Sequence, residues 1–146
     1  MEGHGSRRPE EAGGRMETTS KLVDAVRVLV VRYCRARIGR RSGTYDLADA
    51  VAKDSCREIF AGSAGARALL AFAYDVTHGL VDDFHRTAAE LPNPLSGLPG
   101  QQREIMVLRS LVGLSADDTA LALGCSVQAV RLGQHRALTA LRPAPA

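Results

Sequence analysis

The stretch LSADDTALALGCSVQAVRLGQHRALTALR, residues Leu114–Arg142, predicts two short helices joined by a tight turn. Ser115 stands where its hydroxyl can accept a hydrogen bond from a free N–H group at the start of a helix, and two aspartates follow at the positive end of that helix. Gly124 suits the left-handed backbone that ends a helix sharply. Ser126 is placed to cap the next helix, which is predicted from Val127 to about Leu141.

The predicted second helix has one apolar face and one polar face. Val130, Ala137 and Leu141 recur at helical spacing and form the inward face. No acid occurs from Val127 to Arg142, and the outward residues are polar or basic: Gln128, Arg131, Gln134, His135 and Arg136. Such a helix fits the major groove of DNA, where Gln and Arg side chains contact base edges. An ordinary helical hairpin with a solvated basic face is the alternative, and both interpretations are open at this level.

Composition predicts an all-α fold, because aromatic residues are scarce and Ala, Leu, Val and Arg dominate, and a Pro-rich segment divides it into two small helical domains. Residues 1–20 are rich in glycine and charge and lack apolar periodicity, which predicts a disordered tail, and Met16 is a second candidate start. Residues 21–89 are predicted to form the first domain and residues 99–142 the second. The segment 90–98 is predicted to be a short Pro-rich linker, because three prolines and a glycine interrupt ELPNPLSGLP, Glu90–Pro99.

Helical periodicity gives the approximate limits of the remaining elements. The first domain is predicted to contain helices over Lys21–Ile38, Leu47–Phe60 and Ala66–Ala89, with Asp46 as the N-cap of the second. Beyond the linker, Pro99 fits the first turn of a helix whose apolar stripe is Ile105, Leu108, Leu111 and Val112. No stretch is long and apolar enough to cross a bilayer, so a cytosolic protein is predicted.

Charge is segregated into three blocks along the chain. Lys21–Arg41 contains seven basic residues and one acid, whereas Ser42–Glu90 contains eight acids and four bases. Pro99–Arg142 is basic again, with five bases and three acids. Blocks of opposite sign predict surfaces with different partners.

Several classes of site have no support in the sequence. A phosphate-binding glycine loop, an HExxH pair and a nucleophile elbow are all missing, so neither enzymatic activity nor a cofactor is predicted. The residues Asp75, His78, Asp82 and His85 recur on one helical face, but a single helix would supply every ligand, so no metal site is predicted. The three cysteines lie far apart and form no CxxC motif, which predicts reduced thiols packed in the core: Cys34, Cys56 and Cys125.

The last third of the chain, LPGQQREIMVLRSLVGLSADDTALALGCSVQAVRLGQHRALTALR, resembles region 4 of the bacterial extracytoplasmic-function (ECF) sigma factors of the sigma-70 family. The likeness is carried by LPxxQREI, by GLS before a short helix, by the AxxLG turn and by SxxAVRxxQHRALxxLR. The last of these looks most like the actinobacterial SigD-like group. VVRYCRARIG, DLADAVAKDSCREIF and LLAFAYDVTHGLVDDFHR are similar, more loosely, to region 2.

This resemblance implies a transcription-initiation subunit that binds RNA polymerase core and promoter double-stranded DNA, with an anti-sigma factor as a further candidate partner. It implies a cytoplasmic, nucleoid-associated location. The helix Val127–Arg142 would enter the major groove of the upstream element, and the implied DNA contacts are Ser126, Gln128, Arg131, Leu132, His135 and Arg136. The implied polymerase contacts are Asp46, Asp49, Asp54 and Glu58. The implied helix for the downstream element carries Phe72, Tyr74, His78, Asp82, His85 and Arg86.

A degenerate sigma paralogue is the alternative, namely a regulator that binds polymerase or an anti-sigma factor without initiating transcription. The loop after Phe60, AGSAGARA, lacks the aromatic side chains on which an unpaired base could stack. The twelve residues of Thr87–Leu98 reach roughly 40 Å when fully extended. That length barely spans two promoter elements more than one helical turn apart, since one turn is about 34 to 36 Å.

Overall fold

The structure is a computed structural model that describes residues 9–62 and 68–143. Within those residues every regular element is a helix, and the one β-type pairing is an isolated bridge between Arg41 and Thr44. Three helices come first: α1 (Pro9–Ile38), α2 (Asp46–Gly62) and α3 (Leu69–Thr87). Then follow α4 (Gly100–Met106), which continues as a π-helical segment (Val107–Val112), α5 (Ala116–Leu123) and α6 (Val127–Leu141). The prediction of an all-α fold is confirmed.

Helix α1 begins earlier than the sequence predicts. Its first residue, Pro9, lies inside the stretch expected to be a disordered tail, so residues 9–20 correct that prediction. Residues 1–8 lie outside the described part of the chain. Helix-forming Glu, Ala, Arg and Met are frequent between Pro9 and Ser20, and proline is tolerated in a first helical turn. A helix extending from a packed segment needs no apolar face of its own, because its nucleus is already formed.

The limits of α2 and α3 also differ in detail from the prediction. Helix α2 begins at Asp46, and Thr44 Oγ1 accepts a hydrogen bond from the Asp46 N–H at 3.3 Å. Asp46 is therefore the first residue of the helix rather than its N-cap, and the Tyr45 carbonyl oxygen accepts a helical hydrogen bond from the Asp49 N–H at 2.8 Å. Helix α3 ends at Thr87, because Ala88 adopts extended backbone angles.

Helices α1, α2 and α3 form a first unit around a core to which α1 contributes most. The fully buried residues of α1 lie along one stripe and include Val26, Leu29, Val30, Tyr33 and Ile38. Opposite them, α2 and α3 supply the buried residues Ala48, Ala52, Ile59, Ala73 and Val81. Burying each larger aliphatic side chain contributes roughly 1.5 to 3 kcal/mol, so this core holds the three helices together.

Helices α4, α5 and α6 form a second unit with two small apolar clusters. One cluster consists of Ile105, Ala120 and Val130, and the other consists of Leu98, Met106 and Ala137. Leu111 is 51% exposed and does not join the apolar stripe predicted for it. The π-helical backbone explains this difference, because hydrogen bonds such as Gly113 N–H to Leu108 O, 3.0 Å, widen the turn and rotate Leu111 outward.

Gly133 on α6 packs against Ile105 on α4, and we expect Gly133→Ala to destabilise the protein by about 1 kcal/mol. Alanine favours a helix by about 1 kcal/mol over glycine, but displacing a buried side chain costs about 1 to 3 kcal/mol. A Cβ at Gly133 would overlap Ile105 Cδ1, and Ile105 is only 1% exposed. Ile105→Val removes this atom, so Gly133→Ala should stabilise a protein that already carries Ile105→Val. Urea unfolding of the four proteins measures both effects, and equal effects in the two backgrounds would contradict the contact.

The two units pack against each other and share a core. Val107, Leu108, Val112 and Ala122 of the second unit belong to the buried cluster formed by α1, α2 and α3. Arg32 on α1 adds a polar contact, since its Nη1 donates to the Val112 carbonyl oxygen at 2.9 Å. The predicted linker, residues 90–98, is non-helical, yet Leu98 is buried beside Met106. The connecting segment is therefore packed on the second unit and is not a free tether.

Candidate nucleic-acid interface

The turn between α5 and α6 has the capping that the sequence predicts. Ser115 Oγ accepts a hydrogen bond from the Asp118 N–H at 3.0 Å, and Ser126 Oγ accepts one from the Ala129 N–H at 3.0 Å. Gly124 has a φ of 67°, in the left-handed region, and ends α5. These three residues fix the angle at which α6 leaves the turn, which is what a helix-turn-helix requires.

Helix α6 presents an exposed face beside its buried one. Val130 and Ala137 are fully buried against the second unit. Five of the predicted DNA-contacting residues are exposed together on this helix: Gln128, Arg131, Leu132, His135 and Arg136. Ser126, the sixth, uses its hydroxyl as the helix cap. Leu132 is 48% exposed, which leaves an apolar side chain free for contact with a thymine methyl group.

Gln134 does not join the exposed face, although the spacing predicts that it points outward. It is half-buried, and its Oε1 accepts a hydrogen bond from Arg109 Nε at 3.1 Å. Arg109 Nη1 also donates to the Leu114 carbonyl oxygen at 2.7 Å, so this arginine joins the π-helical segment, the turn before α5 and the middle of α6. Sequence reasoning missed Arg109, and the available signal was a single charge inside the apolar stretch Ile105–Val112.

The four acids predicted to contact polymerase lie along α2 in different surroundings. Asp46 and Glu58 are exposed. Asp49 makes two hydrogen bonds with Arg35 on α1, at 2.8 and 2.9 Å, and these lower the pKa of its carboxyl group. Asp54 lies 3.6 Å from Arg57 on its own helix. Two of the four carboxylates are therefore already paired with arginine.

A groove of about 550 Å³ separates α1 from α2, and no sequence pattern predicts it. Its apolar lining residues are Val31, Ala52, Cys56 and Phe60. Its basic lining residues are Arg27, Arg35, Lys53 and Arg57. The Arg27 guanidinium lies 5.6 Å from the centre of the Phe60 ring, a cation–π contact. Asp49 is the one acid that lines the groove, and Arg35 pairs with it, so basic residues outnumber acids around this groove.

The residues predicted for a downstream DNA element divide into two sets along α3. Phe72 is half-buried beneath Gly62, and Arg86 is exposed and lies 3.5 Å from Asp83. His85 packs on Phe84, and neither ring nitrogen finds a hydrogen-bond partner among the described residues. Burial, followed by nearby positive charges, lowers the pKa of His85. The other set, Tyr74 and His78, faces the second unit.

Tyr74 and His78 belong to a polar cluster between the units, here named the Glu104 cluster: Tyr33, Arg37, Tyr74, His78 and Glu104. Glu104 Oε1 accepts hydrogen bonds from the hydroxyls of Tyr33, at 2.5 Å, and Tyr74, at 2.6 Å. Its Oε2 accepts one from Arg37 Nη1 at 3.1 Å. His78 Nδ1 lies 2.9 Å from the Tyr33 hydroxyl and 3.4 Å from Glu104 Oε1. The Glu104 side chain is 8% exposed, so its charge is compensated by these partners and by Arg103, whose Nε lies 3.5 Å from Oε2.

The electrostatics of the Glu104 cluster follow from this burial. Burial alone would raise the pKa of Glu104, but the hydrogen bonds it accepts and the charge of Arg37 outweigh burial and lower the pKa to about 2. Burial and the Glu104 carboxylate raise the pKa values of Tyr33 and Tyr74, so both hydroxyls remain donors. The hydrogen bond to Glu104 raises the pKa of His78. The cluster is therefore an ionised glutamate surrounded by donors.

None of the helices in the described residues is long and apolar enough to span a membrane.

Residues 89–141 match the family model described as Sigma-70, region 4. This range contains the complete helix-turn-helix and the α4 helix on which it packs.

Two curated relatives and one solved structure extend the comparison over most of the chain. The ECF RNA polymerase sigma factor SigD of Mycobacterium tuberculosis is 35% identical over 170 aligned positions, which cover 91% of this chain and 79% of SigD. The ECF RNA polymerase sigma factor ShbA of Streptomyces griseus is 30% identical, and the alignment covers 88% of this chain and 88% of ShbA. CnrH, solved in complex with the cytosolic domain of CnrY, has the same fold, with a TM-score of 0.57, 24% identity and 90% coverage of each chain. The capped helix-turn-helix and this similarity together show that the chain belongs to the ECF family of RNA polymerase sigma factors.

Proposed function

We propose that this sigma factor binds RNA polymerase core and recognises promoter DNA, with α6 in the major groove of the upstream element. The observation that carries the proposal is the exposed face of α6, which bears Gln, Arg and His side chains and no acid, and which two serine caps and Gly124 hold at a fixed angle. Side chains of this kind contact base edges and phosphates at the same time.

The proposed contacts divide between the two units. On α6 they are Ser126, Gln128, Arg131, Leu132, His135 and Arg136. On α2 we propose that the acids Asp46, Asp49, Asp54 and Glu58 contact polymerase, with the basic groove beside them. On α3 we propose downstream-element contacts by Phe72, Tyr74, His78, His85 and Arg86.

Run-off transcription tests the function directly. Purified core polymerase and this protein are incubated with a library of promoter templates, and start sites are mapped. Initiation at a defined set of sequences is the expected result. Binding to core without any start site would contradict the proposal and would favour a regulator that binds polymerase without initiating.

Arg131→Ala should weaken binding to the preferred upstream element by about 1 to 3 kcal/mol, because the loss of a base contact lowers the affinity mainly for the sequence that carries that base. Fluorescence anisotropy with matched and scrambled duplexes measures this effect. Arg136→Ala is the matched control, since we propose that it contacts phosphate. It should weaken all sequences alike and lower the salt slope by about 1. An unchanged affinity for Arg131→Ala would exclude a base contact at this position.

A further inference from the structure

The inward face of α6 carries a polar residue between its apolar ones. Val130 and Ala137 are fully buried, and each packs in a different one of the two apolar clusters of the second unit. Gln134 follows Val130 by four positions and precedes Ala137 by three, so it lies on the same stripe of the helix, between the two clusters. It is half-buried, and its Oε1 accepts a hydrogen bond from Arg109 Nε at 3.1 Å. The apolar contact of α6 with its own unit is therefore interrupted by a polar pair.

Arg109 is held in place by a second hydrogen bond. Its Nη1 donates to the Leu114 carbonyl oxygen at 2.7 Å, and Leu114 directly precedes Ser115, the N-cap of α5. The guanidinium is rigid and planar, so two bonds made by different nitrogens fix its orientation as well as its position. Across the part of the chain that the structure describes, the bond from Arg109 to Gln134 is the one side-chain hydrogen bond that joins α6 to another helical element.

We propose that Arg109 and Gln134, here named the register pair, determine the sequence specificity of promoter recognition by fixing the rotation of α6 about its own axis. The proposal rests on the proposed function, because it takes the exposed face of α6 as the surface that contacts base edges. Neither residue has to touch DNA. Both are positioning residues that act through the exposed side chains beside them.

Apolar packing alone specifies the rotation of α6 weakly. Hydrophobic contacts are non-directional, and the inward side of α6 includes the small residues Gly133 and Ala137. A rotation by one residue position is about 100°, which would turn Arg131 and His135 away from the groove. The same rotation would separate Gln134 from its donor, and a half-buried polar group without a partner is unfavourable. A polar pair within an apolar contact fixes the register of coiled coils for the same reason.

The double variant Arg109→Met, Gln134→Met tests the register pair, because it removes both partners and leaves neither polar group unsatisfied. Replacing a polar pair by apolar residues of similar size is often neutral for stability, so the urea midpoint should match that of the unchanged protein. The ratio of affinities for matched and scrambled duplexes, measured by fluorescence anisotropy, should fall roughly tenfold, which is the discrimination that one base contact supplies.

A panel of duplexes that each carry one changed base pair separates this role from two others. Loss of a base contact relaxes specificity at one position, as expected for Arg131→Ala, whereas a rotated α6 should relax it at several positions of the upstream element at once. Partial unfolding would lower the affinity for every duplex by the same factor and would leave the ratio unchanged.

Arg40→Met is the matched control, because it removes an exposed arginine that lies outside α4–α6 and changes the net charge equally. It should leave the ratio unchanged. Gln134→Glu keeps an acceptor for Arg109, so it should preserve the ratio while its negative charge lowers the affinity for every duplex. Gln134→Met alone leaves Arg109 bonded to Leu114. This milder variant should also lower the ratio, and it keeps the test decisive if the double variant does not fold.

Two results would overturn the register pair: a folded double variant with an unchanged ratio, or a loss of specificity confined to one base position. Failure of the proposed function looks different. In that case the unchanged protein itself would bind matched and scrambled duplexes equally, and the register pair would fail together with the proposed function.

Discussion

Arg37→Met is expected to lower the free energy of unfolding by about 3 to 5 kcal/mol, the usual cost of leaving one partner of a buried ion pair without the other. The Arg37 side chain is 5% exposed, and it donates to both Glu104 and the Tyr33 hydroxyl. Methionine fills a similar volume but leaves the Glu104 carboxylate with neutral donors, His78 and the more distant Arg103 Nε, 3.5 Å from Oε2. Urea denaturation followed by circular dichroism measures the loss.

Two variants control this experiment. Arg35→Met makes the same substitution two positions earlier on α1, where the ion pair with Asp49 is about half exposed, and it should change stability little. Glu104→Gln in the Arg37→Met background removes the unpaired charge and should restore most of the loss. A loss for Arg37→Met no greater than that for Arg35→Met would show that the buried pair contributes nothing to stability.

The second large effect is the pH dependence of stability that arises from Glu104. Its pKa is about 2 in the folded protein against an ordinary 4.5, so it stabilises the fold above pH 4.5 and loses this contribution as the pH falls towards 2. The difference corresponds to about 3 kcal/mol. His78 acts in the opposite direction, because a raised pKa stabilises below its ordinary 6.5 and is lost as the pH rises through the folded value. The cluster should therefore be most stable between about pH 4.5 and 6.5.

Comparison with Glu104→Gln isolates this contribution from the other carboxylates. The groups that face Glu104 and His78 are the two tyrosines and Arg37, with Asp82, Glu90 and Arg103 at the edge of the cluster. Urea unfolding of both proteins between pH 3 and pH 9 gives a difference in free energy at each pH. We expect that difference to shrink below pH 4.5. A constant difference across this range would contradict the ionised, hydrogen-bonded state of Glu104.

Local signals in the sequence predicted the helix-turn-helix correctly. Ser115, Gly124 and Ser126 act on N–H and C=O groups within a few residues of themselves, so their roles hold whatever the remaining chain does. The family likewise followed from short motifs between Leu98 and Arg142 and is confirmed by the relatives.

Predictions that depended on regular helical spacing failed at particular residues. Leu111 points outward because the helix widens into a π-helical segment, and Gln134 is drawn inward by Arg109. The tail prediction failed from Pro9 onward, since a helix without an apolar face can extend from a packed one. Asp46 lies inside the helix and is not its N-cap, a difference of one position that composition does not decide.

The sequence by itself determined the helices, the capped turn, the acid-free face of α6 and the family, because each is encoded by neighbours a few positions apart. Only the tertiary structure decided that the side chains of Tyr74, His78 and Glu104 meet in one buried cluster. Tyr33 and Glu104 are 71 positions apart in the sequence, and no local sequence pattern predicts that their side chains meet. A buried carboxylate needs several donors at once, and only the packing of α1, α3 and α4 supplies them.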